Sequence, residues 1–322
     1  MLANLANRRA GPFFPLFSRP AALRNIQPVR IFQRVCPLEK TNAHGLRPAP
    51  EPMNRHAIGQ LFRIRIKRLA SPANRNVLLE MVRANIKASD YHSFLGGMWS
   101  LIGTTAMLAV LYFVFSKRFG QDIQGYPLYL LAGIISVNFF ITATSYLLRV
   151  LIFNRDIALN STIPRENLML ATISINAWKL GIEMVICTLL SMAYGFYTWR
   201  SALLFFPVLL AFLALVFGVG LALSLFYCFA RDVEHVWVIV SRLFLFITPV
   251  FYTVESLSPT MRTLILYLNP LTPFLKAMRA IFLHGGALAA SELAHCLILG
   301  TAALSLSYFI FLRWEGAALD RT

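Results

Sequence analysis

The chain has 322 residues, of which 57% are hydrophobic and only 14% charged, and its mean hydropathy is +0.63. Soluble domains carry about 25% charged residues, so the composition excludes an ordinary soluble enzyme or binding module and predicts an all-α integral membrane protein. The formal charge of +16 is lopsided: residues 1–98 hold 16 Lys and Arg against 4 Asp and Glu, while residues 99–322 hold 14 against 10.

Residues 1–75 carry 14 Lys and Arg, with Glu39 and Glu51 as the only acids, and contain no apolar run of signal-peptide type. Such an arm reads as a positive-inside signal that also touches anionic lipid. No nucleic-acid motif accompanies the charge, so nucleic acid is not an expected partner. Arginine richness with few acids is also a transit-peptide pattern, and Met53 after RPAPEP offers a second start. The arm is expected to be disordered or loosely membrane-bound.

Residues 76–94 form the next unit. Glu80, Arg83, Lys87 and Asp90 recur at helical spacing and leave Leu78, Met81, Val82 and Ile86 on other faces, which predicts an amphipathic helix lying in the membrane interface. It ends near Tyr91, where Gly96 and Gly97 let the chain turn. A transmembrane domain is predicted over 95–312, with six spans at 95–115, 127–148, 168–194, 202–229, 236–252 and 294–312, and a short tail over 313–322. With the N-terminus inside, the inner connections hold the basic arm, Arg149, Arg155, Arg165, Arg231, Arg313 and Arg321. The outer ones hold Lys117, Arg118, Arg200, Arg262, Lys276 and Arg279. The excess predicts both termini in the cytoplasm.

The stretch 231–279 is the most informative. A charged turn (Arg231, Asp232, Glu234) opens an apolar helix that carries Arg242 and meets Pro249. Asn269–Pro270 and two apolar pieces follow, each too short for the roughly 20 residues of a span. Interrupted apolar segments and a charge inside a span persist where they are buried in protein or line a path, so short re-entrant helices are expected between spans five and six.

Four further groups are candidates. The loop 153–166 sets Arg155, Asp156, Asn160, Arg165 and Glu166 around a short apolar stretch, with Pro164 placed to open the third span; it reads as a docking element or as a solvated loop. Lys179 and Glu183 stand at i, i+4 in the third span and can pair, either as a polar wall on a path or as a structural pair. Tyr112, Phe113, Phe139, Phe140, Phe246, Phe251 and Tyr252 can offer aromatic faces to a sliding sugar polymer, or supply lipid-facing bulk. Gly218 and Ala222 make a small-xxx-small pair suited to close helix packing.

The chain has no phosphate-binding G-x-x-x-x-G-K-[ST] segment and no paired metal ligands, its four cysteines are scattered, and no Ser-His-Asp set appears. No metal and no cofactor is expected on this chain.

The motifs RDV at 231–233, SRLFLFITPVFY and NPLTPF at 269–274, with Tyr91, Ser93, Leu95, Gly96 and Trp99 at the entry to the first span, resemble the permease subunits of ABC-2 exporters. Within that family they are most similar to exporters of O-antigen, capsule or teichoic-acid glycans. His92 and Thr104 depart from the pattern. The resemblance covers about residues 77–315. It implies a homodimeric pore driven by two copies of a separate ATPase that holds ATP and Mg. It implies a cytoplasmic gate helix with Glu80, Arg83, Lys87 and Tyr91, and a coupling helix within the loop from Arg155 to Glu166. The substrate path would use the aromatic residues above with Lys179, Glu183 and Arg242. The substrate would be a lipid-linked glycan crossing the cytoplasmic (inner) membrane. The competing readings are an ABC-2 exporter of a small lipid or drug, an ATP-independent six-span carrier, and a membrane enzyme acting on lipid-linked sugars.

Overall fold

A computed structural model of the chain describes residues 65, 67–69, 71–90, 98–119, 123–160, 163–254 and 257–320. All of them belong to one compact unit. The basic arm up to residue 64 and the turn at 91–97, including Tyr91, lie outside the described residues.

Helix α1 (Pro72–Asp90) starts four residues before the predicted boundary. Ser71 explains the difference: its hydroxyl accepts the Asn74 N–H at 3.4 Å, and Pro72 needs no partner in the first turn. Helix α2 (Met98–Phe119) is exposed over most of its surface, with Thr104 and Leu111 turned inward. Helix α3 (Tyr126–Phe153) is buried along most of its length and is the axis of the bundle. The short α4 (Arg155–Asn160) follows it, then α5 (Arg165–Ala193) and α6 (Trp199–Phe229). The fourth predicted span began at 202. The observed start at Trp199 comes from a capping box in which the Thr198 and Ser201 side chains each take the other's backbone N–H.

Helix α10 (Ala290–Asp320) packs most extensively on α6. Two glycines permit the approach. A Cβ on Gly300 would stand 2.3 Å from the Ala211 carbonyl oxygen, and one on Gly218 would stand 2.8 Å from the Ala303 backbone. The Gly218–Ala222 pair singled out in the sequence therefore contributes its glycine to a helix contact. The segment predicted as the tail is helical where it is described: α10 continues to Asp320, and Glu315 within it is tied into the protein.

Five helices among the described residues are long and apolar enough to cross a membrane: α2, α3, α5, α6 and α10. The fifth predicted span, 236–252, is different. Helix α7 (Val233–Ile247) has 15 residues, which is about 22 Å against a hydrocarbon core of about 30 Å. It stops at Thr248, which is extended at ψ 132° ahead of Pro249, because proline disfavours helix at the residue before it. Even so, α7 together with the non-helical residues after it extends along most of α3. Its Glu234 pairs with Arg149 at the C-terminal end of α3, and the Phe251 carbonyl just beyond it accepts from Tyr126 at the opposite end. Helices α8 (Pro259–Leu268) and α9 (Leu271–Leu283) complete the chain between α7 and α10.

The glycine contact gives the first test. Gly300→Ala forces α6 and α10 apart, for a loss of about 1–3 kcal/mol; the thermal midpoint of the purified protein should fall by several degrees. Gly103→Ala, which meets open space, should leave it unchanged.

Candidate functional site

The functional features lie at the two ends of the bundle. The near end holds Arg65, where α3 and α6 finish and α5 begins; the far end holds the break after α7.

At the near end Arg65 bridges two buried carboxylates, donating to Glu166 at 3.0 Å and forming a two-pronged pair with Glu315. Those carboxylates are only 2% and 5% exposed. Tyr308 donates to Glu166 at 3.1 Å, and Arg165 approaches Glu315 at 3.5 Å. Burial alone would lower the Arg65 pKa, but its bonds and attraction to Glu315 and Glu166 outweigh that and raise it. A raised basic pKa makes this contribution complete at any pH below the ordinary arginine value, hence across the physiological range. Three segments distant in sequence meet at one guanidinium.

Beside this cluster, Asn74 of α1 and Asn167 of α5 exchange amide hydrogen bonds at 3.2 and 2.8 Å. The pair fixes the start of α1 against α5. Glu80 and Arg83 form an exposed ion pair at 2.7 Å, and Lys87 is exposed.

The docking-loop candidates divide. Arg155 and Asp156 are exposed on α4, which Asn160 ends, and Pro164 precedes α5. Arg165 donates through Nε to the Ala158 carbonyl at 3.3 Å, so it clamps α4 to α5. Glu166 points inward, away from any docking partner. On the neighbouring connection, Glu234 is held by Arg149 and by the Tyr227 hydroxyl at 2.7 Å.

At the far end the chain leaves helical geometry at Thr248, and side chains take over the broken backbone. Arg279 donates to the Val250 carbonyl at 2.9 Å, Tyr126 to that of Phe251 at 3.1 Å, and Tyr129 to that of Tyr252 at 2.8 Å. Asn269 donates to the Thr248 hydroxyl at 2.8 Å and accepts the Leu271 N–H at 2.9 Å. The Arg279 guanidinium lies 3.4 Å over the Tyr129 ring. The sequence motifs ITPVFY and NPLTPF are thus two halves of one junction.

The path candidates do not form one surface. Phe139 and Phe140 are core residues, packed on Phe212 and on Trp237 and Phe244. Phe251 is buried and stacked on Phe115 at 5.2 Å, while the Tyr252 hydroxyl returns to the Ile247 carbonyl at 3.2 Å. Tyr112 and Phe113 on α2, and Arg242 and Phe246 on α7, face out of the single chain. Glu183 accepts from Thr104 of α2 at 3.0 Å, and Lys179 is one turn away on the same helix. The i, i+4 spacing could not reveal that interhelical bond.

Sequence reasoning missed Arg65, Glu315, Tyr308, Asn269 and Arg279 as organising residues. Arg279 was counted among outer-loop charges, yet it is buried. Its signal was present: one arginine in the apolar run FLKAMRAIFL, downstream of an Asn-Pro.

A bundle of membrane-length helices with an interrupted one among them, and a clamped, exposed helix at one end, has the form of a multi-pass transporter domain. Residues 77–283 match the family model for the ABC-2 type transporter, and the chain belongs to that family. Its members are membrane subunits of ABC transporters, which implies an ATPase partner. The O-antigen export system permease protein RfbA of Myxococcus xanthus is 25% identical over 209 residues, covering 65% of this chain and 80% of that protein. A protein of the same name from Klebsiella pneumoniae is 22% identical over 211 residues, covering 65% and 81%.

Two substitutions test the ends. Removing one partner of a buried ion pair costs about 3–5 kcal/mol. Arg65→Ala should lose less, because that side chain is 27% exposed, and Glu315→Gln should restore part of the lost thermal midpoint. Asn269→Leu strands the Thr248 hydroxyl and the Leu271 N–H, and should destabilise by about 1–3 kcal/mol, read from the same melt.

Proposed function

We propose that the chain is the permease subunit of an ABC exporter that moves a lipid-linked polysaccharide, of O-antigen or capsule type, across the bacterial inner membrane. The observation that carries this reading is the match to the ABC-2 type transporter over 77–283 together with relatives named for O-antigen export. In this reading the near end is cytoplasmic, as are both termini. Helix α7 with the segment beyond it makes a sixth crossing, and α8 and α9 re-enter the membrane from the outer side.

Two copies of the chain form the pore. The face of α7 bearing Val236, Ile239, Arg242, Leu243 and Phe246 is exposed in the single chain, and among the described residues Arg242 has no ion-pair partner. A charge at that depth facing lipid is expensive. The face is better explained as meeting a second copy or a hydrated path, where Arg242 with Phe246, Tyr112 and Phe113 would contact the moving glycan. Phe139 and Phe140 support that surface from behind. Helix α1, with Glu80, Arg83 and Lys87, gates the cytoplasmic entrance.

Helix α4 couples the pore to a separate ATPase, on which ATP and Mg are bound and hydrolysed. A force on Arg155 or Asp156 passes through the Arg165 clamp into α5, and through Glu166, Arg65 and Glu315 to α10. ATP drives the cycle only if it favours one pore state over the other.

Arg155→Glu combined with Asp156→Arg should abolish co-purification of the ATPase while leaving the permease melt unchanged, since both side chains are exposed. Cells carrying this variant should retain lipid-linked glycan on the cytoplasmic face. Normal surface glycan in a strain lacking the chain would exclude the reading, and transport without any ATPase partner would favour a carrier.

A further inference from the structure

Helices α5 and α6 are consecutive in the chain yet touch each other over only a short stretch. Between them lies a groove of about 160 Å³, with Ala177, Gly181, Val185 and Thr188 of α5 and Phe205 and Leu209 of α6 in its walls. Those walls are apolar. The Thr188 hydroxyl, the only one described in the lining, donates to the Met184 carbonyl at 2.9 Å, so no side-chain group is left over to bind water. Gly181 deepens the groove: the residue is helical, and a Cβ there would meet nothing within 4 Å. Alanine would favour the helix more, and among the described residues nothing occupies the space that glycine leaves.

Depth decides what can fill the groove. From Ala177 to Thr188 it runs about 16 Å along α5, roughly half of a hydrocarbon core of about 30 Å. Its first residue on α6, Phe205, lies about 9 Å along the helix from Trp199. Trp199 and Tyr194 are exposed, and the Arg200 guanidinium stands over the Trp199 ring at 5.7 Å, as expected of residues at a membrane–water interface. The groove therefore begins below headgroup level and reaches about the midplane, within the leaflet at the far end. Val185 in its wall is exposed, and Leu189, Phe206 and Leu210 beside it are exposed as well. The groove is thus continuous with the face that α5 and α6 turn to lipid. A helix of a second copy, about 10–12 Å across, is too wide for it. No described lining residue lies on α2 or α7, so the groove is separate from the face assigned to the export path.

We propose that this groove holds one acyl chain of a membrane phospholipid, from the leaflet at the far end, which fills the gap between α5 and α6. Apolar contact is the only attraction on offer, and walls that face an empty space forfeit it. An unbranched chain is long and thin enough to follow a groove that excludes a helix. The inference needs only that α5 and α6 cross a membrane, so it goes beyond the export reading.

The test uses the full chain in phosphatidylcholine vesicles, with a trace of phosphatidylcholine that carries a photoactivatable diazirine midway along one acyl chain. Irradiation followed by peptide mass spectrometry locates the label. Labelling at 177–188 and 205–213 should exceed, several-fold, that on the exposed α10 positions Leu297, Ile298 and Leu306. Gly181→Leu, which projects into open space, should abolish the excess while α10 labelling stays at the wild-type level. Val185→Phe, at an exposed position, should do the same. Gly181→Ala should keep most of the excess, because one methyl group does not fill the groove. In detergent, added phosphatidylcholine should raise the thermal midpoint of the wild type more than that of Gly181→Leu. Equal labelling of the groove and α10 overturns the proposal, since it marks ordinary lipid contact. An unlabelled groove also overturns it, and disulfide-linked dimers of Gly181→Cys would then assign the groove to a second copy.

Discussion

The arrangement of the far half of the bundle depends on one constraint: a helix interrupted within a membrane domain must have its freed carbonyls satisfied by protein. Unsatisfied backbone groups cost several kcal/mol each in hydrocarbon. Here Val250, Phe251 and Tyr252 follow the break, and Arg279, Tyr126 and Tyr129 supply a donor to each carbonyl. Those donors come from α3 and α9, so the break holds together elements far apart in the chain. Asn269 closes the junction by joining Thr248 to the first turn of α9. Gly133 leaves the room required, since a Cβ there would come within 3.1 Å of Val250 and 3.2 Å of Arg279.

The near end solves a different problem with charge. Two carboxylates buried close together would repel, and each would be costly to desolvate. Arg65 and Arg165 neutralise them, and Tyr308 adds a donor to Glu166. The result joins the segment before α1, the start of α5 and the end of α10. Arg165 also holds α4 through the Ala158 carbonyl, so the small exposed helix is mechanically continuous with the long ones. A force applied at the near end would therefore have a continuous route into the bundle, and would switch it only if the cluster has two arrangements.

Between the ends the protein is asymmetric. Helix α3 is enclosed, whereas α2 and α7 present broad apolar faces outward. An aliphatic face alone is compatible with lipid. Arg242 on α7 changes that balance, because its charge adds an energetic penalty that a second copy or a hydrated path would relieve. The aromatic pairs at Phe139 and Phe140 instead serve packing: their partners Phe212, Trp237 and Phe244 sit on α6 and α7 and fasten both to the axis.

The sequence by itself determined the membrane class, the positions of the long helices and the family, because apolar run length and local motifs are read directly along the chain. It also located the trouble spot at 248–270, since Pro249 and Asn269–Pro270 are local breakers. Only the tertiary structure decided that the fifth predicted span is a 15-residue helix, that Glu166 turns inward, and that Phe139 and Phe140 are core. It likewise revealed Arg279 as the donor that holds the break. The reason is physical: a hydrogen bond from residue 279 to residue 250, or from 65 to 315, depends on how helices pack in three dimensions. Spacing along one helix constrains which side chains share a face, but not what the opposing helix offers them.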